Sequence, residues 1–221
     1  MNKKQKRVVH AYDKSYLPPA KKALGRMLDF ACHELGFASG DFWDLFLHSG
    51  VADAFGGGES RLLVGMSGIE LAYEVLERSG VRFRRVKNPV CAADKSPEYW
   101  AGWALAHYQW ERAFTFTEIV NFIGIDEVVA MYRPYHEMDI SHFIEELDRL
   151  YRQRFPETNL ARARKRAGLS QGELAELSGV SVRTIQEFEQ RRKSINKAQL
   201  DTVHPLAVAL YCSIETLVER V

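Results

Sequence analysis

Residues 159–189 read NLARARKRAGLSQGELAELSGVSVRTIQEFE, and local chemistry divides this stretch into two helices joined by a tight turn, with another helix in front. Gly168-Leu169 closes the leading helix, and Ser170 is placed to cap the next, its hydroxyl accepting from amides that have no partner inside the helix. Glu173, three residues on, completes a capping box. Leu174, Ala175 and Leu177 follow at helical spacing and predict one apolar face. Ser178-Gly179-Val180 reads as a turn: Gly179 supplies the positive φ of a sharp change of direction, and Val180 fills the corner. Ser181 caps a third helix, whose Ile185 and Phe188 point inward while Val182, Arg183, Gln186 and Glu187 point out.

Arg164, Gly168-Leu169-Ser170-Gln171, Glu173-Leu174-Ala175, Gly179-Val180-Ser181, Thr184-Ile185 and Glu189 stand at fixed spacing. In this they resemble the helix-turn-helix family of the Cro and phage C1-type repressors, also called the xenobiotic-response-element family. The likeness continues through Leu206, Ala207, Leu210, Ile214 and Leu217, covering residues 158–221. The resemblance implies an all-α protein ending in a five-helix lambda-repressor-like DNA-binding domain. Pro205 departs from the pattern. Proline costs about 3 kcal/mol in a helix interior, so a break or a new helix start is expected there.

The resemblance also implies roles. The third helix lies in the major groove, with Val182, Arg183 and Glu187 at base edges and Gln186 on the flank. Arg183 has the donors for guanine O6 and N7, Val182 the surface for a thymine methyl, and Glu187 the acceptor for a cytosine amino group. Gln171, beside the free amides of the second helix, is placed for phosphate. Arg191, Arg192 and Lys193 follow as phosphate candidates, and Ser170, Ser181 and Thr184 complete the DNA-facing set. Arg164 and Glu189 are implied to form a buried ion pair tying the first helix to the end of the third.

The chain has 221 residues, 46% hydrophobic and 27% charged, as in ordinary soluble proteins. Its net charge is only +1, but residues 158–221 carry ten Lys/Arg against seven acids, gathering the positive charge where DNA would sit. Cys32, Cys91 and Cys212 are scattered and odd in number, which predicts a reducing cytoplasm and no disulfide framework or zinc cluster. No apolar stretch reaches the length of a membrane span. No cofactor is expected.

Ahead of the DNA-binding segment the expected organisation is a basic tail over 1–16, with Lys3, Lys4, Lys6 and Arg7, then a small helical domain over 17–80. A linker over 81–96 follows, and a second helical domain over 97–155 for sensing, dimerisation or partner binding. The 17–80 segment is weakly similar to small uncharacterised helical domains encoded beside toxin-like genes. Within it Ser39 and Ser67 are read as caps, Gly56-Gly57-Gly58 as a turn, and Arg61–Val64 as a brief extended stretch. VRFRRVK, at 81–87, alternates like an edge strand. Ser96-Pro97 opens a helix on which Trp100, Trp103, His107 and Trp110 share a face, read as core. Thr117 is read as a cap, as is Asp139 for a long helix to Arg154.

His136, Glu137, Asp139 and His142 are the cluster to test as a metal or acid–base site. Their spacing does not complete a tetrahedral set, so Asp139 is read as a cap. No catalytic constellation is visible. The function that follows is a sequence-specific transcriptional regulator, acting as a repressor on double-stranded DNA through a palindromic operator and a homodimer. A narrower version is an antitoxin that masks a toxin and represses its own operon. The alternatives are an enzyme using a cleft around Trp103, His107 and His136, or a protein-interaction adaptor, a reading kept open by Glu187 facing the groove.

Overall fold

The computed structural model describes residues 10–89 and 95–221; Lys3, Lys4, Lys6, Arg7 and Cys91 lie outside them. The chain divides into one unit up to Leu150 and a second from Tyr151 to Val221. The first contains α1 (Leu17–His33), α2 (Ser39–His48), α3 (Val51–Gly56), α4 (Ser60–Leu63), α5 (Gly68–Arg78), α6 (Pro97–Arg112), α7 (Phe116–Val120), α8 (Ile125–Ala130), α9 (Tyr132–Tyr135) and most of α10 (Ile140–Arg154). The second contains α11 (Asn159–Arg166), α12 (Gln171–Ser178), α13 (Val182–Glu189), α14 (Leu200–Ala209) and α15 (Ile214–Leu217). Every regular element among the described residues is helical, so the protein is all-α.

Helix α1 starts on Pro18-Pro19, whose missing amides fall in the first turn. Leu24, Met27, Leu28, Phe30 and Ala31 along it are fully enclosed. A helix this apolar must be covered on several sides. Glycine makes that possible: a Cβ at Gly102 would stand 2.6 Å from the Leu24 carbonyl oxygen, and one at Gly25 would stand 2.7 Å from that of Tyr99. Helices α1 and α6 thus meet backbone to backbone. The boundary expected at 81–96 falls inside one compact unit, in which α1 packs on α6 as well as on α5.

Several local expectations are corrected in this unit. Residues 10–16 are not a loose tail. His10 stacks on Trp110 with ring centroids 3.7 Å apart, Ala11 N donates to the Trp110 carbonyl, and Trp110 Nε1 donates to the Tyr12 carbonyl. Arg61 lies in a helical turn, α4, rather than an extended stretch. Among the described residues VRFRRVK pairs with no strand. It is pinned to α5 by Tyr73, which stacks on Phe83 and whose hydroxyl accepts from Val86 N. The cap before α7 is Thr115, in a box with Glu118, rather than Thr117. Ser39 is the first residue of α2, and its hydroxyl donates to Asp126 instead of capping. Ser67, Ser96 and Asp139 each accept from a first-turn amide.

In the second unit Leu160, Leu174, Ile185, Phe188, Leu206 and Leu217 form the core. Leu177, expected to share the apolar face of α12, is 64% exposed. At 3.6 residues per turn it lies about 110° from the midpoint between Leu174 and Ala175, outside the buried stripe. Pro205 does not break α14, which runs through it. Proline in a helix interior, with its lost hydrogen bond and ring clash, costs about 3 kcal/mol. Burying Val203 and Leu206 on the same helix returns about 1.5–3 kcal/mol each, so packing wins.

Candidate nucleic-acid interface

The helix–turn–helix is built from its caps. Ser170 Oγ accepts from Glu173 N at 3.1 Å while the Glu173 carboxylate accepts from Ser170 N at 2.7 Å. Gly179 ends α12 with φ of 71°, a value that disfavours side chains. Val180 is half-buried beyond it, and Ser181 Oγ accepts from Thr184 N at 3.2 Å to start α13. Ser170, Ser181 and Thr184 are thus spent on shaping the two helix starts, with the Ser181 and Thr184 hydroxyls 2.9 Å apart.

Behind this frame Arg164 meets Glu189 in a two-pronged pair, Nε to Oε1 at 2.7 Å and Nη2 to Oε2 at 2.9 Å. Arg164 Nη1 also donates to the Leu169 carbonyl at 2.7 Å. The side chains are 11% and 8% exposed. Burial pushes the Glu189 carboxyl up, but the bonds from Arg164 and Gln171 outweigh it and hold that carboxyl below its ordinary value. The same pairing raises Arg164. Gln171 Nε2 donates to Glu189 Oε2 at 2.8 Å, and Gln186 Nε2 stands 3.4 Å from Gln171 Oε1. The ion pair is therefore connected through Gln171 to the outward face of α13.

On that face Val182 and Gln186 are exposed, and the Arg183 side chain is 88% exposed. Glu187 is less available than its helix position suggests. Lys193 Nζ lies 2.5 Å from its carboxylate and Arg183 Nε 3.4 Å from it, and these cations, Lys193 first, keep its carboxyl low. Arg191, expected on phosphate, is turned elsewhere. It adopts φ of 54°, donates from Nη1 to the Pro156 carbonyl at 2.5 Å, and stands 3.8 Å from Glu219. Arg192 remains exposed.

The folded domain adds residues that sequence reasoning missed. An open groove beside α13, about 560 Å³, is lined by Thr184, Arg192 and Lys193 together with Ser194, Lys197, Gln199 and Thr202. Gln199 precedes the first turn of α14, where backbone amides are free for an anion. The signal was present in KSINK, at 193–197: Ile195 is buried as an anchor while its polar neighbours face out.

The other candidate cluster does not assemble. Asp139 caps α10, His136 Nδ1 is bonded to the Tyr132 carbonyl, and no group of three His, Cys, Asp or Glu among the described residues is arranged to hold a metal. No helix there is long and apolar enough to cross a membrane. Comparison with curated proteins and with solved structures found no match for this chain. Residues 160–210 match the helix-turn-helix family model, and with the caps, turn and buried ion pair in place this segment is a helix-turn-helix DNA-binding domain of the Cro/C1 type.

Proposed function

We propose that the chain is a sequence-specific transcriptional regulator of the cytoplasm, acting as a repressor. Helix α13 presents Val182, Arg183 and Gln186 to bases in the major groove, while Gln171, Arg192, Lys193 and Lys197 take phosphates on either side. The observation that carries this reading is the exposed polar face of α13 beside a groove lined by cations, with the opposite face of the helix buried. Phosphate contacts set register and base contacts set sequence, and this division of residues supports both.

One helix-turn-helix touches few base pairs, so the operator is proposed to be a palindrome bound by a homodimer, with half-sites about one helical turn apart. The outer face of α14 supports a second copy there: Leu200, Val208 and the following Tyr211 are 64%, 59% and 98% exposed. Apolar side chains left exposed along and just beyond this helix are the surface a second copy is proposed to cover. Selection of bound fragments from random DNA tests the reading. An enriched inverted repeat is the expected outcome, and recovery of unrelated sequences would sink it. In the narrower, antitoxin form the first unit masks a toxin protein encoded beside this gene. Co-purification of the two proteins decides that form.

A further inference from the structure

We propose that the first unit carries a binding site for a small planar aromatic acid, in a cavity between the start of α6 and the α9–α10 turn. This inference concerns a different part of the chain from the DNA interface and does not rest on it.

The cavity measures about 200 Å³, and its walls are the rings of Tyr99, Trp100, Trp103, Tyr132 and Tyr135 with Lys95 at the edge. An apolar cavity of about 150 Å³ accepts benzene, so this one has room for a single ring with one substituent. The walls are held from behind. Trp100 is buried, edge-on to Tyr132 at 6.0 Å and to Phe143 at 5.2 Å, and His136, which also lines the cavity, stacks on Tyr132 at 4.2 Å. The tryptophan face of α6 thus divides: Trp100 and Trp110 are core, whereas Trp103 is only half-buried and gives its ring to the cavity.

Charge selects among flat ligands. Lys95 Nζ stands 5.5 Å from the Tyr99 ring centroid, and Lys21 Nζ stands 4.1 Å from that of Trp103. Among the described residues no carboxylate lines the cavity, and no acid pairs with either lysine. Aromatic walls alone would welcome a quaternary ammonium, but here two of the rings already carry an ammonium. A cationic ligand meets like charge, while a carboxylate meets Lys95 as a charge-assisted partner. Ring in the box and carboxylate toward Lys95 is the pose that satisfies both.

Titration of the full-length protein with benzoate, followed by tryptophan fluorescence and calorimetry, tests this. Benzyl alcohol and benzyltrimethylammonium serve as the neutral and cationic probes. Benzoate is expected to saturate one site, and Lys95→Gln, at an exposed position, is expected to weaken it about tenfold or more, the worth of a hydrogen bond to a charged group. Benzyl alcohol should bind the wild type no better than benzoate binds the variant. The proposal is overturned if benzoate does not saturate, if Lys95→Gln binds it as tightly as wild type, or if benzyltrimethylammonium binds as well as benzoate. DNA binding is measured separately by gel shift, so failure here leaves the regulator reading intact, and the reverse also holds.

Discussion

Glu189 ties the domain's internal ion pair to the proposed phosphate contact, because its carboxylate accepts from both Arg164 and Gln171. Removing one member of a buried pair strands the other charge, at about 3–5 kcal/mol. Glu189→Ala should therefore lower the unfolding free energy by that amount and weaken DNA binding with it, as read by denaturant melts and gel shift. The pH dependence has a definite sign. The carboxyl is held below its ordinary value of 4.5, so its contribution is present at neutral pH and is lost as pH falls through the folded-state value. Glu189→Gln should then show a shallower acid loss of stability than wild type below about pH 4.5; parallel curves would remove the linkage. Arg183 behaves differently. It is almost fully exposed, so Arg183→Ala should change stability by less than about 0.5 kcal/mol. The same variant should lose about 1–3 kcal/mol of preference for the selected site over scrambled DNA.

Among elements, the α1–α6 contact decides the shape of the first unit. Alanine in place of glycine normally stabilises a helix by about 1 kcal/mol. At Gly102 the added methyl would meet the Leu24 carbonyl oxygen at 2.6 Å, against backbone that no rotamer change can clear. Forcing extra volume into a packed contact costs about 1–3 kcal/mol, so Gly102→Ala should lower the melting temperature of the first unit in calorimetry. An unchanged or raised value would mean that the two helices slide apart freely. Helix α12 makes the complementary point. It is short, its burial is centred on Leu174 and Ala175, and Leu177 is left outside. Hydrophobic periodicity recognised a helix there and misjudged the width of its stripe.

For the molecule as a whole, the exposed face of α14 carries the association prediction. Val208→Asp places a charge on an already exposed position, so the domain should fold as before. In sedimentation measurements the variant should shift from dimer toward monomer, and it should lose cooperative binding to a two-half-site operator while keeping weak affinity for one. A wild type that sediments as a monomer on DNA would remove the dimer from the proposal. Residues 10–16, anchored on Trp110, belong to the packed first unit although their composition reads as a tail.

What the sequence determined by itself is whatever acts over a few residues or belongs to a recognisable motif. The caps at Ser67, Ser96, Asp139, Ser170 and Ser181 and the left-handed turn at Gly179 are of the first kind, and the Arg164–Glu189 pairing is of the second. The all-α class was legible too, since helical periodicity and capping repeat along the chain. Only the tertiary structure decided the joining of α1 to α6, the turning of Arg191 toward Pro156 and Glu219, the cation-lined groove with Lys197, and the half-open aromatic box. The first depends on two glycines that let backbones far apart in sequence meet, and the others on which side chains the fold brings together, about which local propensity carries no information.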